Sequence, residues 1–228
     1  MGKQTLSVAE ELYRGHANHA GGLRGRNGRP GVPCMIPTKV SLGSPATADA
    51  DGYCASQDLT TADVASIDTT AAGAIAAAAL AGISATPRNV VAAWTGTAVL
   101  TITGTDEFGV AMSEASASGT SHTGKKAFKT ITNLAVSANV TSLTVGEGQV
   151  LGLPYLLTAK SDIIQCYFND AFDATPVQVA GVSTTATTTT GDVRGTVAPA
   201  TLDGSAIVIW MYVQATDTIP DLIGVGQA

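Results

Sequence analysis

Residues 206–213 read AIVIWMYV, and this stretch decides the fold class of the chain. β-Branched and aromatic residues dominate it, and neither Gly nor Pro interrupts it, which is typical of a β-strand. Alternate residues of a strand point to opposite faces. Here both alternating sets are apolar: Ile207, Ile209, Met211 and Val213 on one face, and Val208, Trp210 and Tyr212 on the other. Such a strand either lies between two covered faces or presents one face to another subunit.

Short β-rich runs separated by turn residues precede this strand as far back as residue 87. Their spacing of roughly 8–12 residues is typical of a β-sandwich or a β-barrel. The runs lie at residues 89–94, 97–103, 110–118, 129–136, 142–145, 149–153, 155–158, 162–168 and 177–179. The sequence shows no alternation of strands with helices, which excludes a parallel α/β fold. We predict an all-β body of about eight to eleven strands, either a β-sandwich or a jelly-roll-like barrel.

The composition narrows the possible function classes. Of the 228 residues, 45% are hydrophobic and only 13% are charged. So low a charge argues against a disordered chain and against a coiled coil. The net charge of −6 argues against nucleic-acid binding by the whole molecule, because phosphate contacts require an excess of Lys and Arg. We find no apolar leader and no apolar run long enough to span a bilayer, so we expect neither secretion by the common route nor a membrane partner.

Half of the basic residues lie in residues 1–40, where six Lys or Arg face two Glu. Six glycines and three prolines between residues 15 and 37 oppose a long helix or a central strand there. Two interpretations stay open: a disordered tail, or an extended, largely irregular arm that becomes ordered against a partner surface of opposite charge. We favour the arm. Its cations are then the candidates for contact with the partner: Arg14, Arg24, Arg26, Arg29 and Lys39.

The sequence therefore divides into three parts. Residues 1–40 are the basic arm, and residues 41–86 are an Ala- and Thr-rich connecting segment. Within that segment, residues 71–81 have the propensity for a short helix. Residues 87–228 form the β body.

Residue types that bind metals are present, but their spacing does not predict a metal site. His16 and His19 have a spacing that a helix could use, yet glycines flank them and a third ligand is not nearby. The three cysteines, Cys34, Cys54 and Cys166, are far apart and form no CxxC pair. We expect them to be buried, free thiols in a reducing compartment.

Motifs for catalysis and for cofactor binding are equally weak. Residues 119–126 read GTSHTGKK, but Lys126 stands where a phosphate-binding loop requires Ser or Thr. His122 lies in the same predicted loop and has no evident carboxylate or nucleophile partner. Asp106 and Glu107 fall in a predicted tight turn, where carboxylates usually cap and solvate the backbone. We therefore expect a protein that is not an enzyme, with no catalytic residue, no metal and no cofactor.

Several segments from residue 87 onward resemble structural proteins of tailed-phage capsids. They are PRNVV (87–91), TITGTDEFGVAMSE (101–114), GKKAFKTITNLAVS (124–137), VGEGQVLGLPY (145–155), TTGDVRGTVAP (189–199) and residues 203–213. The chain is most similar to the capsid decoration, or cement, proteins. The resemblance implies a structural virion protein, made in the host cytoplasm, that sits on the capsid surface and clamps the major capsid protein. The arm then contributes the capsid-contact candidates.

Self-association is a further expectation. The doubly apolar strand suggests a homo-oligomer, a dimer or a trimer, with Val208, Trp210 and Tyr212 as candidates for the contact. Arg194 is a fourth candidate, as a structural charge held by Asp192 or by an acid across a subunit boundary.

Two other functions stay open. One is a structural component of the phage tail, neck or head fibre. The other, from a different class, is a carbohydrate-binding adhesin module, which would need an exposed row of aromatic side chains. The chain has only eleven aromatic residues. Several of them have core-like patterns: Trp94, Phe128, Phe168 and Trp210.

Overall fold

The computed structural model describes residues 35–60, 86–174, 176–182, 187–214 and 227. In these ranges it has strands, loops and one short 3₁₀ turn at Lys160–Asp162, but no α-helix. The strands are β1 (Met35–Ser41), β2 (Cys54–Leu59), β3 (Arg88–Ala98), β4 (Leu100–Thr105), β5 (Ala111–Ala115), β6 (Gly119–Phe128), β7 (Thr130–Val136), β8 (Val140–Gly152), β9 (Ile163–Phe168), β10 (Ala171–Asp173), β11 (Val177–Ala180), β12 (Gly195–Ala198) and β13 (Ile207–Gln214). The all-β prediction is confirmed.

The strands form three sheets, in which neighbouring strands run antiparallel. Sheet A has the order β1-β13-β9-β10. Sheet B has the order β11-β12-β8-β3-β6, with β2 also paired to β8. Sheet C has the order β5-β4-β7. This layered antiparallel arrangement is consistent with the β-sandwich of the two predicted architectures.

Two apolar cores hold the sheets together. The first joins sheet B to sheet C and contains, among others, Trp94, Leu100, Ile102, Leu134 and Val145. The second joins sheet A to one end of sheet B and contains, among others, Val40, Leu151, Val197, Ile209 and Met211. Strand β8 is long enough to contribute to both cores, so it ties the two halves of the body together. Fully burying each such side chain stabilises the fold by about 1.5–3 kcal/mol.

A buried ion pair fastens the loop before β2 to sheet B. The guanidinium of Arg88, which is 1% exposed, pairs with Glu147 and donates to the backbone oxygens of Ala46 and Gly148. The backbone of Glu147 donates to the Asp49 oxygen at 2.7 Å. The loop passes so close to β8 that a Cβ on Gly146 would lie 1.9 Å from that same oxygen, so only glycine fits there.

The predicted arm and connecting segment fall only partly within the described residues. Residues 35–40, the end of the predicted arm, belong to β1, which pairs with β13 at the edge of sheet A. Residues 1–34 lie outside the described part of the chain. In the connecting segment, β2 pairs with β8, whereas the predicted helix at 71–81 falls on residues that are not described.

Candidate functional site

Strand β13 presents one covered face and one open face. The side chains of Ile207, Ile209 and Met211 are fully buried in the second core. On the other side of the strand, Trp210 is 36% exposed and Tyr212 is 37% exposed. The strand therefore does not lie between two covered faces, because one of its apolar faces is turned outward.

The strands beside β13 extend this open face. The register pairs Lys39 of β1 with Trp210, and it pairs two residues of β9, Gln165 and Tyr167, with Trp210 and Val208. Phe172 of β10 in turn pairs with Tyr167. Because directly paired residues of antiparallel strands lie on the same face, these side chains form one surface. We call it the aromatic face; its members are Lys39, Gln165, Tyr167, Phe172, Val208, Trp210 and Tyr212.

The aromatic face has internal order. The rings of Tyr167 and Phe172 meet edge to face, with centroids 6.1 Å apart and planes at 67°. The Tyr167 hydroxyl donates to Oε1 of Gln165 at 3.0 Å. Phe172 nevertheless stays 61% exposed. The face is therefore a preset apolar surface with polar groups beside it, and it lacks a cover within the described chain.

Exposed large hydrophobic side chains lie mainly in sheet A, which carries four of the six, and the other two lie on β11 of sheet B. Among the described residues they are Ile164, Phe172, Val177, Val179, Trp210 and Tyr212. All of them belong to strands β9, β10, β11 and β13, and none belongs to sheet C. Contiguous apolar surface on a soluble protein usually marks a contact with a partner. This asymmetry makes the aromatic face the candidate functional site.

The predicted contact residues differ in where they lie. Val208, Trp210 and Tyr212 share the aromatic face, and Lys39 stands exposed beside Trp210. The other capsid-contact candidates, Arg14, Arg24, Arg26 and Arg29, lie outside the described residues.

Arg194 requires a correction. It is 2% exposed and far from a surface contact, because its Nη2 pairs with Asp106 Oδ2 at 2.8 Å within the same chain. Its Nε donates to the Leu153 oxygen, and its guanidinium lies 4.8 Å from the ring centre of Phe108. Asp192 accepts the backbone N–H groups of Arg194 and Ala127, and within the described residues it forms no ion pair with the Arg194 guanidinium. Arg194 is thus a structural charge held inside its own chain.

The segment that resembled a phosphate-binding loop is part of strand β6. Lys126 is fully buried, and its Nζ donates to the backbone oxygens of Ser113 and Gln227 at 2.8 and 2.6 Å. The Nε2 atom of His122 lies 3.7 Å from Oε2 of Glu114. The other oxygen of that carboxylate, Oε1, accepts the backbone N–H of Lys125. Burial lowers the pKa of Lys126. The prediction of a loop was wrong here, because pairing with β3 draws these Gly, Ser and Thr residues into the sheet.

A pocket of about 240 Å³ lies at the end of β1. Its lining is formed by Ser41, Leu42, Gly43, Thr86, Glu107 and Pro154. Glu107 is the one titratable side chain in that lining, and burial raises its pKa. Within the described ranges, no three His, Cys, Asp or Glu side chains come together as a metal site. In the same ranges, no helix is long and apolar enough to cross a bilayer.

The burial that the sequence predicted for the cysteines is found for two of the three residues. Cys54 and Cys166 are each 1% exposed. Cys34 lies outside the described part.

Comparison with protein-family models, with curated proteins and with solved structures finds no match to this chain.

Proposed function

We propose that this chain is a structural virion protein that binds the outside of a bacteriophage capsid and cements neighbouring major capsid protein subunits. The observation that carries the proposal is the concentration of exposed large hydrophobic side chains in sheet A, around the aromatic face. The segments from residue 87 onward that resemble capsid decoration proteins point to the same role. The protein is made in the host cytoplasm and acts on the capsid surface.

The body suits a role that needs rigidity and no chemistry. Its buried charges are held inside the fold, as the pairs Arg88–Glu147 and Arg194–Asp106 illustrate. A protein that binds only the assembled shell stabilises that shell by mass action. Many copies on a symmetric lattice make even a modest contact effective through multivalency.

The size of the aromatic face indicates that it does not act alone. Four strands spaced about 4.8 Å apart and about 20 Å long offer roughly 400 Å² of sheet surface. A stable protein interface buries about 800 Å² on each partner. The basic arm continues the chain from Met35, at the edge of the same sheet, and supplies the remaining contact in our proposal. Its Arg residues and Lys39 then bind acidic groups of the major capsid protein.

Self-association is part of the same proposal. On a capsid lattice, a dimer or trimer places several arms around one symmetry axis. Val208, Trp210 and Tyr212 are the residues through which neighbouring copies would touch, because they are the apolar members of β13 that face outward.

The test is co-sedimentation of the full chain with empty shells assembled from the major capsid protein that the same genome encodes. Wild-type protein should pellet with the shells in a saturable manner. Trp210→Ser should weaken binding at least tenfold, and the combined change of Arg14, Arg24, Arg26 and Arg29 to Gln should weaken it further at physiological salt.

Matched controls separate the site from general changes of surface. Val177→Thr alters an exposed apolar residue of sheet B, and Lys160→Gln removes an exposed charge. Both should bind as the wild type does. Failure of the wild-type chain to pellet, or equal losses in the control variants, would refute the proposed function.

Carbohydrate binding is the second candidate, and one observation favours it. Trp210, which had a core-like sequence pattern, stands exposed with Phe172 and Tyr212, and the half-buried Tyr167 lies on the same face, so the chain does carry an exposed group of aromatics. Aromatic faces stack well on the C–H faces of sugars. The edge-to-face packing of Tyr167 on Phe172 interrupts a flat platform, which is why we place this candidate second. Binding of the wild type, and not of Trp210→Ser, on a glycan array would reverse that order.

A further inference from the structure

The pocket at the end of β1, which we call the seam pocket, is built by all three sheets. Its lining comes from the end of β1 in sheet A, from the residues that border β3 and β8 in sheet B, and from the β4–β5 turn of sheet C, which holds Glu107. Ligand pockets form preferentially where structural units meet. Its volume of about 240 Å³ lies below the roughly 300–1,000 Å³ of sites for drug-sized molecules, so it suits a small group or a single side chain.

The hydrogen-bond donors of the seam pocket are mostly engaged within the chain. The N–H of Leu42 donates to the Ile207 oxygen at 2.9 Å, and the hydroxyl of Thr86 donates to the Leu42 oxygen. Pro154 has no N–H to offer. An anionic ligand would therefore meet few donors there and would be repelled by the Glu107 carboxylate.

The carboxylate of Glu107 is accessible and has no direct partner. Glu107 is exposed, and its side chain forms no ion pair or hydrogen bond within the described part of the chain. The pocket nevertheless removes part of its hydration, which raises the pKa of Glu107, whereas the charges of Lys129 and Arg194 lower that pKa. The guanidinium of Arg194 is already bound to Asp106. A partly dehydrated carboxylate without a contact gains most from a cation that donates to it directly.

The rest of the lining favours an organic cation over a metal ion. Hard metal ions take several oxygen ligands, and no group of three metal-binding side chains exists within the described residues. Leu42 and Pro154 give the pocket apolar surface against which an alkyl chain can pack. Ser41 adds a hydroxyl oxygen beside the carboxylate.

We propose that the seam pocket binds a positively charged nitrogen group carried on a short alkyl chain, with Glu107 as the acceptor of its hydrogen bonds. The basic side chains of a partner protein and free amines share this chemistry. The pocket adjoins the aromatic face, because Ser41 pairs in register with Val208 and so lies on the same face of sheet A. The inference does not depend on capsid binding, since it rests on the lining of the pocket alone.

The test is an NMR titration of the full-length protein at pH 7.5 with n-butylammonium, and with neutral n-butanol as the matched ligand. n-Butylammonium should shift the backbone amide signals of Leu42 and Gly43 in a saturable manner, and n-butanol should bind at least about tenfold more weakly. Glu107→Gln should weaken n-butylammonium binding at least about tenfold, because it removes the charge and keeps the shape. Asp170→Asn, which removes the same charge from the exposed β9–β10 turn, is the control and should bind as the wild type does.

The pH dependence gives a second measurement. Protonation of Glu107 removes the acceptor, so the affinity for n-butylammonium should fall as the pH drops through the raised pKa of Glu107, and Glu107→Gln should lack this fall. The other charged groups that act on Glu107 are Lys129, Arg194 and Asp106, and they are present in both proteins.

Two further ligands distinguish the sources of the cation. Nα-Acetyl-lysine methylamide and Nα-acetyl-arginine methylamide represent side chains of a partner protein. Tighter binding of either than of n-butylammonium would identify a partner's side chain as the occupant, and the reverse order would identify a free amine; both orders support the proposal. Equal affinity for n-butanol and n-butylammonium, or an unchanged affinity in Glu107→Gln, would overturn it.

Discussion

Replacing Arg194 by methionine removes a buried cation and leaves the Asp106 carboxylate without its partner. The two side chains are 3% and 0% exposed, so water cannot take over the lost contact. Breaking a buried pair by removing one member typically costs about 3–5 kcal/mol. Asp106 keeps two backbone donors, the N–H groups of Phe108 and Val110 at 2.8 and 2.9 Å. We therefore expect a loss near the lower end, about 3 kcal/mol of unfolding free energy.

The assay is urea unfolding followed by circular dichroism, with gel filtration of each folded variant. The double variant Asp106→Asn, Arg194→Met should lose less than the sum of the two single changes, because it strands no charge. Lys160→Met, a change at an exposed site, should stay within about 0.5 kcal/mol of the wild type. An Arg194→Met protein of wild-type stability but altered oligomeric state would refute our placement of Arg194 inside the subunit.

Three further outcomes are expected from buried groups. Burial raises the pKa of Cys166 to about 11 from its ordinary 9.0, so less of the reactive thiolate is present at pH 8. Iodoacetamide at pH 8 should therefore alkylate Cys166 ~100-fold more slowly in the folded than in the unfolded chain, as measured by peptide mass mapping. Burial also raises the pKa of Asp192, so the folded state favours the protonated carboxyl and the free energy of unfolding falls as the pH rises above about 4. The difference in unfolding free energy between the wild type and Asp192→Asn should therefore shrink between pH 4 and pH 7. A difference that stays constant or grows in urea unfolding would contradict this. Gly104→Ala should destabilise by more than about 3 kcal/mol, because its Cβ would lie 1.9 Å from the Thr130 oxygen; a thermal melt within 2 °C of the wild type would be incompatible with that contact.

The sequence was a good guide where one strand carries its own signal. The alternation in residues 206–213 predicted β13, and its length and apolar character agree with Ile207–Gln214. The alternation could not tell which face is covered, because that depends on where the second core lies. Trp210 had the pattern of a core residue, yet the sheet turns it outward.

Strands made of small polar residues were harder to predict. Residues 119–128 contain Gly, Ser, Thr and Lys, which favour turns in isolation, but pairing with β3 makes them strand β6. Residues 142–145 and 149–153 were predicted as two runs, whereas they belong to one long strand, β8. The predicted strand at 155–158 is absent from the structure, although those residues are described.

The polar contacts depend on pairing across long stretches of chain. Arg194 binds Asp106, which lies 88 positions earlier. Lys126 binds the oxygen of Gln227, which lies 101 positions later. Local sequence contains no signal for either partner, because tertiary topology alone brings them together. The sequence analysis proposed Arg194 as a structural charge held by Asp192 or by an acid across a subunit boundary, whereas its partner in the structure is Asp106 of the same chain.

The most direct measurement is a cryo-EM reconstruction of shells decorated with the full-length wild-type protein. We expect density on the outer shell surface in numbers set by the capsid lattice, with Trp210 and Tyr212 turned toward the shell or a neighbouring copy. Bare shells, density confined to a single vertex, or bodies whose aromatic face points into solvent would contradict a cementing role.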